Sequence, residues 1–186
     1  MFTSATERAI QVALAAHDGQ TRKGAEDEPY AVHPLHIALL LARLGVDEET
    51  VQAALLHDVV EDSPNWMIED IENEFGARVS SIVAELTEDK SKTWEQRKQA
   101  GIEAVAGYSA EAATVKAADK LHNLESMVRV RAEAKDAETF WAAFHGGRER
   151  TLEMSGRLVE ALRARVSPAL GGALSEAYAR LVEADA

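Results

Sequence analysis

VQAALLHDVVED, residues 51–62, decides the fold class and carries the chemistry. Through Leu56 it is apolar on nearly every side, which predicts a helix at the centre of a helical protein rather than one on its surface. Asp47 is suited to cap its start, and Glu48 and Glu49 favour the positive end of its dipole. His57, Asp58, Glu61 and Asp62 then place four ionisable groups within six residues. Unpaired charges in so apolar a helix are costly, so these groups require partners. Helical spacing makes His57 a neighbour of Glu61, and Asp58 a neighbour of Glu61 or Asp62. The adjacent His57 and Asp58 can both reach one cation lying beside the helix, between their directions.

The flanking sequence predicts more helices. One spans about 4–17, followed by the charged, Gly-containing loop GQTRKGAEDEPYAV (19–32). His33-Pro34 opens the next, with proline where its missing N–H costs little. Leu35, Leu39, Leu40 and Leu44 are its expected apolar face, and Gly45 its end. Met67, Ile68, Ile71 and Phe75 mark a short amphipathic helix stopped by Gly76. Others are expected over about 78–89, 94–106, 109–130, 136–146, 148–165 and 172–184, the last two separated by Pro168 and a Gly171-Gly172 break. Phe140, Trp141 and Phe144 recur at helical spacing and are expected in the core. Alternation with a period of two is rare. The expected class is all-α, a compact multi-helix fold with its polar site between central helices. No repeat, low-complexity tract or linker divides the chain, so residues 1–186 are expected to form one domain.

Composition narrows the function. With no cysteine there is no disulfide scaffold and no thiolate metal site, which suits a reducing compartment. The N-terminus lacks the basic start and apolar core of a signal peptide. No apolar run approaches the roughly 20 residues needed to span a bilayer, so the cytoplasm is the expected location. A net charge of −12 argues against nucleic-acid and anionic-membrane partners, which want a positive field. A small phosphorylated substrate remains compatible if local Lys and Arg and a divalent cation override the global charge. Oligomeric state is not set by these features.

Two more residues match the His57-Asp58 pair chemically. His33 stands at a helix start, and Asp119 lies in VKAADKLHNL (115–124) among apolar neighbours. Two imidazoles and two carboxylates suit Mn²⁺, Fe²⁺ or Zn²⁺ better than Mg²⁺ or Ca²⁺, which favour all-oxygen sites. Each residue also has a plainer reading. A His-Asp pair can be a core hydrogen bond, Asp119 can pair with Lys116, Lys120 or His122, and His33 can cap its helix.

Joined, these segments are distinctive. The order His33, His57-Asp58, Asp119 resembles the HD superfamily of metal-dependent phosphohydrolases. PYAVHPLHIA, AALLHDVVED, FGARV, TEDKSKTWEQRK and KAADKLHNL resemble the hydrolase domain of RelA/SpoT-type alarmone enzymes. The stretch with Glu95, Arg97 and Lys98 is most similar to the short, stand-alone branch. The similarity is strongest over 5–127, with weaker support to about Leu162, and the C-terminal helices are expected over about 136–184. The resemblance implies that His33, His57, Asp58 and Asp119 bind a metal, with Mn²⁺ the family's usual ion. It implies that Glu61 and Asp62 position or deprotonate the attacking water. It assigns Arg22 and Lys23 to the nucleotide, Arg22 stacking on a base, and Asn123 and Ser126 to the ribose and phosphate region. The implied reaction is hydrolysis of the 3′-pyrophosphate of ppGpp, pppGpp or an adenine analogue such as pppApp, the nucleotides of the stringent response. Without synthetase or regulatory domains, the chain is expected to degrade alarmone rather than make it. The spacing from Arg22-Lys23 to Pro29-Tyr30 is nearer the short type, but the acidic Glu26-Asp27-Glu28 departs from what a polyanion pocket wants and leaves base preference open. Other readings are an HD phosphatase of another nucleotide, such as a 5′-nucleotidase or an NADPH phosphatase, and a non-catalytic nucleotide-binding HD module.

Overall fold

The structure, a computed structural model, describes residues 3–22 and 25–184. The described residues form eleven α-helices, one 3-10 turn and a two-stranded ribbon, so the all-α class holds. In order they are α1 (Ser4–Ala16), β1 (Thr21–Arg22), β2 (Ala25–Pro29), α2 (Val32–Arg43), α3 (Glu48–Leu56), α4 (Val59–Asp62), α5 (Ile68–Phe75) and α6 (Ala77–Leu86). Then follow α7 (Trp94–Ala104), the 3-10 turn Val105–Gly107, α8 (Ala110–Glu133), α9 (Ala137–Ala142), α10 (Gly147–Arg163) and α11 (Pro168–Glu183). The chain divides into two compact units, Met1–Arg22 with Glu26–Glu88, and Lys23–Ala25 with Asp89–Ala186.

In the first unit α3 is the central element, packed by α1, α2 and α6. Every residue from Thr50 to Leu56 is buried, which explains why this stretch is apolar all round. Burying a side chain such as Val51, Leu55 or Leu56 contributes about 1.5–3 kcal/mol each. The start of α3 is tied down by polar groups. Asp47 accepts from the Thr50 N–H at 3.1 Å and the Thr50 hydroxyl at 2.8 Å, and Arg78 of α6 donates to both Asp47 and Glu49. Burial works against the Asp47 carboxylate, but hydrogen bonds from Arg78 and Thr50 outweigh it and hold its pKa at about 2. The side chains of Thr6 and Thr3 and the Thr3 N–H hold Glu48 at about 2 in the same way.

Two expectations change here. The helix read as continuous through residue 62 breaks at His57 and Asp58, where α3 ends and α4 begins. The apolar phase of α2 also differs: Ile37, Ala38 and Leu41 are buried beside His33 and Pro34, while Leu39 is 70% exposed and Leu44 44%. Leucines lie on every side of α2, so their spacing did not select a face. The buried residues at 33, 37 and 41 follow a four-residue step, the phase set by His33.

In the second unit α8, α10 and α11 pack against one another, and α7 and α9 attach to α10. Leu124, Leu162, Leu174 and Leu181 are fully buried. Phe140 and Trp141 are buried with ring centroids 4.8 Å apart, edge to face, consistent with their expected core role. α11 begins four residues earlier than expected. Ser167 caps it through the Leu170 N–H, and Pro168 occupies the first turn instead of ending a helix. Gly171 lies within the helix because a Cβ there would come within 3.2 Å of the Arg163 carbonyl oxygen. Gly171 permits close packing, and the glycine pair is not a break.

Candidate functional site

At the break between α3 and α4 the His57 ring bonds back to its own helix. His57 Nδ1 is 2.8 Å from the Ala54 carbonyl, a group that can only accept, so Nδ1 carries the proton. A neutral His57 then presents its Nε2 lone pair, 3.1 Å from Asp58 Oδ2. His33 Nε2, from the first turn of α2, lies 3.8 Å from the same oxygen. Both imidazoles are buried, at 1% and 2% exposure, whereas Asp58 keeps 19% of its side chain accessible.

Lone pairs of nitrogen and carboxylate oxygen held this close repel unless a proton or a metal cation lies among them. The ligand atoms of His33, His57 and Asp58 lie within 4.8 Å of one another, as expected for donors that each approach one ion at roughly 2.0–2.2 Å. Two imidazoles and a carboxylate suit a divalent transition metal. The residues present therefore fit a metal of the expected kind.

The loop before α2 supplies a support that spacing in the sequence did not suggest. The Tyr30 hydroxyl donates to Asp58 Oδ2 at 2.6 Å, its N–H donates to the Gln20 carbonyl at 2.8 Å, and its carbonyl accepts the His33 N–H at 2.9 Å. The buried His17 ring lies against Tyr30, centroids 4.6 Å apart, and is fixed through Nδ1 by Gln20 Oε1 at 2.9 Å. Gln20 in turn donates to the Asp62 carbonyl at 3.2 Å. Arg22, expected at the nucleotide, sits with its guanidinium carbon 5.4 Å from the Tyr30 ring centroid. Lys23 lies outside the described residues. Only the position of Tyr30, three residues before His33, could have pointed to it.

Glu61 and Asp62 follow in α4, one turn beyond the His57-Asp58 junction, and both are half-buried. Glu61 Oε1 accepts the Glu88 N–H at 2.6 Å, which fixes the carboxylate while its second oxygen retains acceptor capacity.

Asp119, Asn123 and Ser126 lie in the second unit on α8. Asp119 is buried and pairs with Lys116 Nζ at 2.9 Å, one turn before it, while Asn123, one turn after, donates to its other oxygen. This is the Lys116 pairing left open by the sequence. Ser126 is buried on the same helix. Lys120 donates to Ser155 of α10 at 2.8 Å; burial lowers its pKa to about 8 against the opposing pull of Asp119, with Lys98 and Lys116 adding to the decrease. No described helix is long and apolar enough to cross a membrane.

Known proteins resemble this chain in sequence and in fold. The HD-domain family profile matches residues 9–149. The guanosine-3′,5′-bis(diphosphate) 3′-pyrophosphohydrolase MESH1 of Xenopus tropicalis is 42% identical over 127 residues, covering 67% of this chain and 70% of that protein. Its Danio rerio counterpart is 39% identical over 131 residues, covering 69% and 72%. A solved structure of a metazoan ortholog of SpoT, which hydrolyses ppGpp and plays a role in starvation responses, superposes with a TM-score of 0.82 at 31% identity, covering 96% of each chain. A helical chain with clustered His33, His57 and Asp58, matched by that profile over most of its length and by relatives of its own size, belongs to the HD-domain family.

Proposed function

We propose that this protein is a metal-dependent 3′-pyrophosphohydrolase of ppGpp-type alarmones, acting as a single hydrolase domain in the cytoplasm. The observation that carries the proposal is the buried His33, His57 and Asp58 cluster, with Glu61 and Asp62 one turn beyond it. The similarity to relatives named for this reaction, at about 40% identity, supports the substrate class. His33, His57 and Asp58 would hold the ion, which we take to be Mn²⁺, with Asp119 proposed as a fourth ligand from its sequence context. When bound, such an ion supplies Lewis-acid polarisation of phosphate oxygens and acidifies water.

The chain's own residues account for the rest. Glu61 or Asp62 accepts the proton of the water that attacks the phosphorus bonded to the 3′ oxygen. The bond from that phosphorus to the 3′ oxygen breaks, the 3′ oxygen takes up a proton, and pyrophosphate leaves. A nucleoside 5′-diphosphate or 5′-triphosphate remains. Arg22 offers a planar face to a base, and Lys23 offers charge to phosphate. Asn123 and Ser126 are proposed at the ribose and phosphate region.

The test is to incubate metal-free protein with ppGpp and with pppApp, each with and without Mn²⁺, and to separate products by anion exchange. Mn²⁺-dependent release of intact pyrophosphate is expected, and the faster substrate identifies the base. Release of inorganic phosphate, or of nothing with metal bound, would redirect the assignment to another nucleotide phosphatase or a binding module.

A further inference from the structure

We propose that Tyr30 is a positioning residue shared by both halves of the site: its hydroxyl orients Asp58 toward the cation, and its ring supports Arg22 where a base is recognised. The second half rests on the proposed function; the first requires only that His33, His57 and Asp58 take up a metal.

Tyr30 is held in place from both sides. Its main chain is bonded on one side to Gln20 and on the other to His33, so the residue that carries a metal-cluster imidazole also carries the strap that fixes the tyrosine. Its hydroxyl can donate one proton, and at 2.6 Å that proton goes to Asp58 Oδ2, the oxygen nearest both imidazoles. Such a charge-assisted bond is short and directional, and it prevents the carboxylate from rotating away from His33 and His57. Outer partners of this kind set the orientation and basicity of a ligand.

The ring is used as well. The buried His17 ring, held by Gln20, packs against it. Arg22 stands 5.4 Å from its centroid, an attraction between guanidinium and ring that keeps the arginine side chain in one place. Preorganising Arg22 lowers the ordering cost that a nucleotide would otherwise meet on binding. One aromatic side chain thus couples where the base binds to where the cation sits.

The experiment separates hydroxyl from ring. Mn²⁺ is titrated calorimetrically into metal-free wild type, Tyr30→Phe and Tyr30→Leu, and steady-state kinetics on ppGpp follow at limiting and saturating Mn²⁺. Tyr30→Phe is expected to weaken Mn²⁺ binding by about 10-fold or more, the scale for losing an outer partner, with turnover restored at saturating Mn²⁺ and KM within about twofold of wild type. Tyr30→Leu is expected to show the same metal defect and to raise KM about tenfold, because Arg22 loses its support. Wild-type Mn²⁺ affinity in Tyr30→Phe, or equal KM in the two variants, overturns the proposal. If Tyr30→Leu does not fold, Arg22→Lys serves as the second arm: it must raise KM and leave Mn²⁺ affinity unchanged, and a change in Mn²⁺ affinity overturns the division of roles. A wild type that takes up Mn²⁺ but does not cleave ppGpp fails the proposed function alone, since the Mn²⁺ comparison between wild type and Tyr30→Phe still decides the role of the hydroxyl.

Discussion

Asp58 in the first unit and Asp119 in the second are both carboxylates in apolar helical surroundings, yet their neighbours differ in kind. Asp58 faces two imidazole nitrogens at 3.1 and 3.8 Å and receives one hydroxyl proton from Tyr30. Asp119 is met by the Lys116 ammonium at 2.9 Å and the Asn123 amide. In the first case the protein gathers imidazole nitrogens around the carboxylate, an arrangement suited to a shared cation. In the second it provides the cation itself. A sequence motif treats the two aspartates alike; in the structure one lies among imidazoles and the other beside an ammonium.

Removing a donor from the first region should have the largest effect. His57→Ala is expected to lower Mn²⁺ affinity by more than the roughly 100-fold that the loss of an outer partner can cost, and activity should fall with it. Metal content after dialysis, measured with turnover, checks this; full metal occupancy in the variant would place the ion elsewhere. Glu61→Gln probes the step after metal binding. The amide oxygen can still accept the Glu88 N–H, so the fold and the metal should persist while turnover drops by about 10²-fold, the scale for losing a general base. Turnover equal to wild type would remove Glu61 from the mechanism and leave Asp62.

Lys116→Met sharpens the contrast from the other side. It deprives a buried carboxylate of its charge partner and should destabilise the metal-free protein by up to about 3 kcal/mol. If Asp119 is a ligand, added Mn²⁺ should raise the thermal midpoint of Lys116→Met by a few degrees more than it raises that of wild type. Equal gains would remove Asp119 from the ligand set. The smallest effect concerns α3. Asp47 and Glu48 are held at about 2, below the ordinary carboxylate range, so the stability they contribute is complete above about pH 4 and is lost as pH falls through about 2. Both lie at the surface, Asp47 exposed and Glu48 half-buried, and are screened, so the change is small. Asp47→Asn with Glu48→Gln should flatten the decline of the thermal midpoint between pH 4 and pH 2.

Local chemistry made some helix ends legible, as with Asp47 before α3 and Gly76 after α5, while Pro168 at the start of α11 reads in the sequence as a break. The phase of α2 was not, because leucines cover it and tertiary contacts, not periodicity, choose the buried side. The break at His57 was also hidden: an imidazole there bonds to the Ala54 carbonyl, and nothing in the apolar pattern of 51–56 announces it. His33, His57 and Asp58 could be picked out because their residue types are costly in such surroundings without a purpose. Tyr30 and Gln20 could not, since a tyrosine and a glutamine in a polar loop cost nothing until the fold brings them to Asp58 and Asp62. The C-terminal helices carry no chemical motif, and only their caps and close approaches, at Ser167 and Gly171, show how they pack.

The most direct test follows pyrophosphate release from ppGpp while Mn²⁺ is titrated into metal-free wild type and Asp58→Asn. Saturable activation of the wild type is predicted, with the variant needing at least about tenfold more Mn²⁺ to reach half its maximum. Pyrophosphate release from chelator-treated protein at the full rate, or identical Mn²⁺ curves for the two proteins, would contradict a reaction that depends on the His33, His57 and Asp58 cluster.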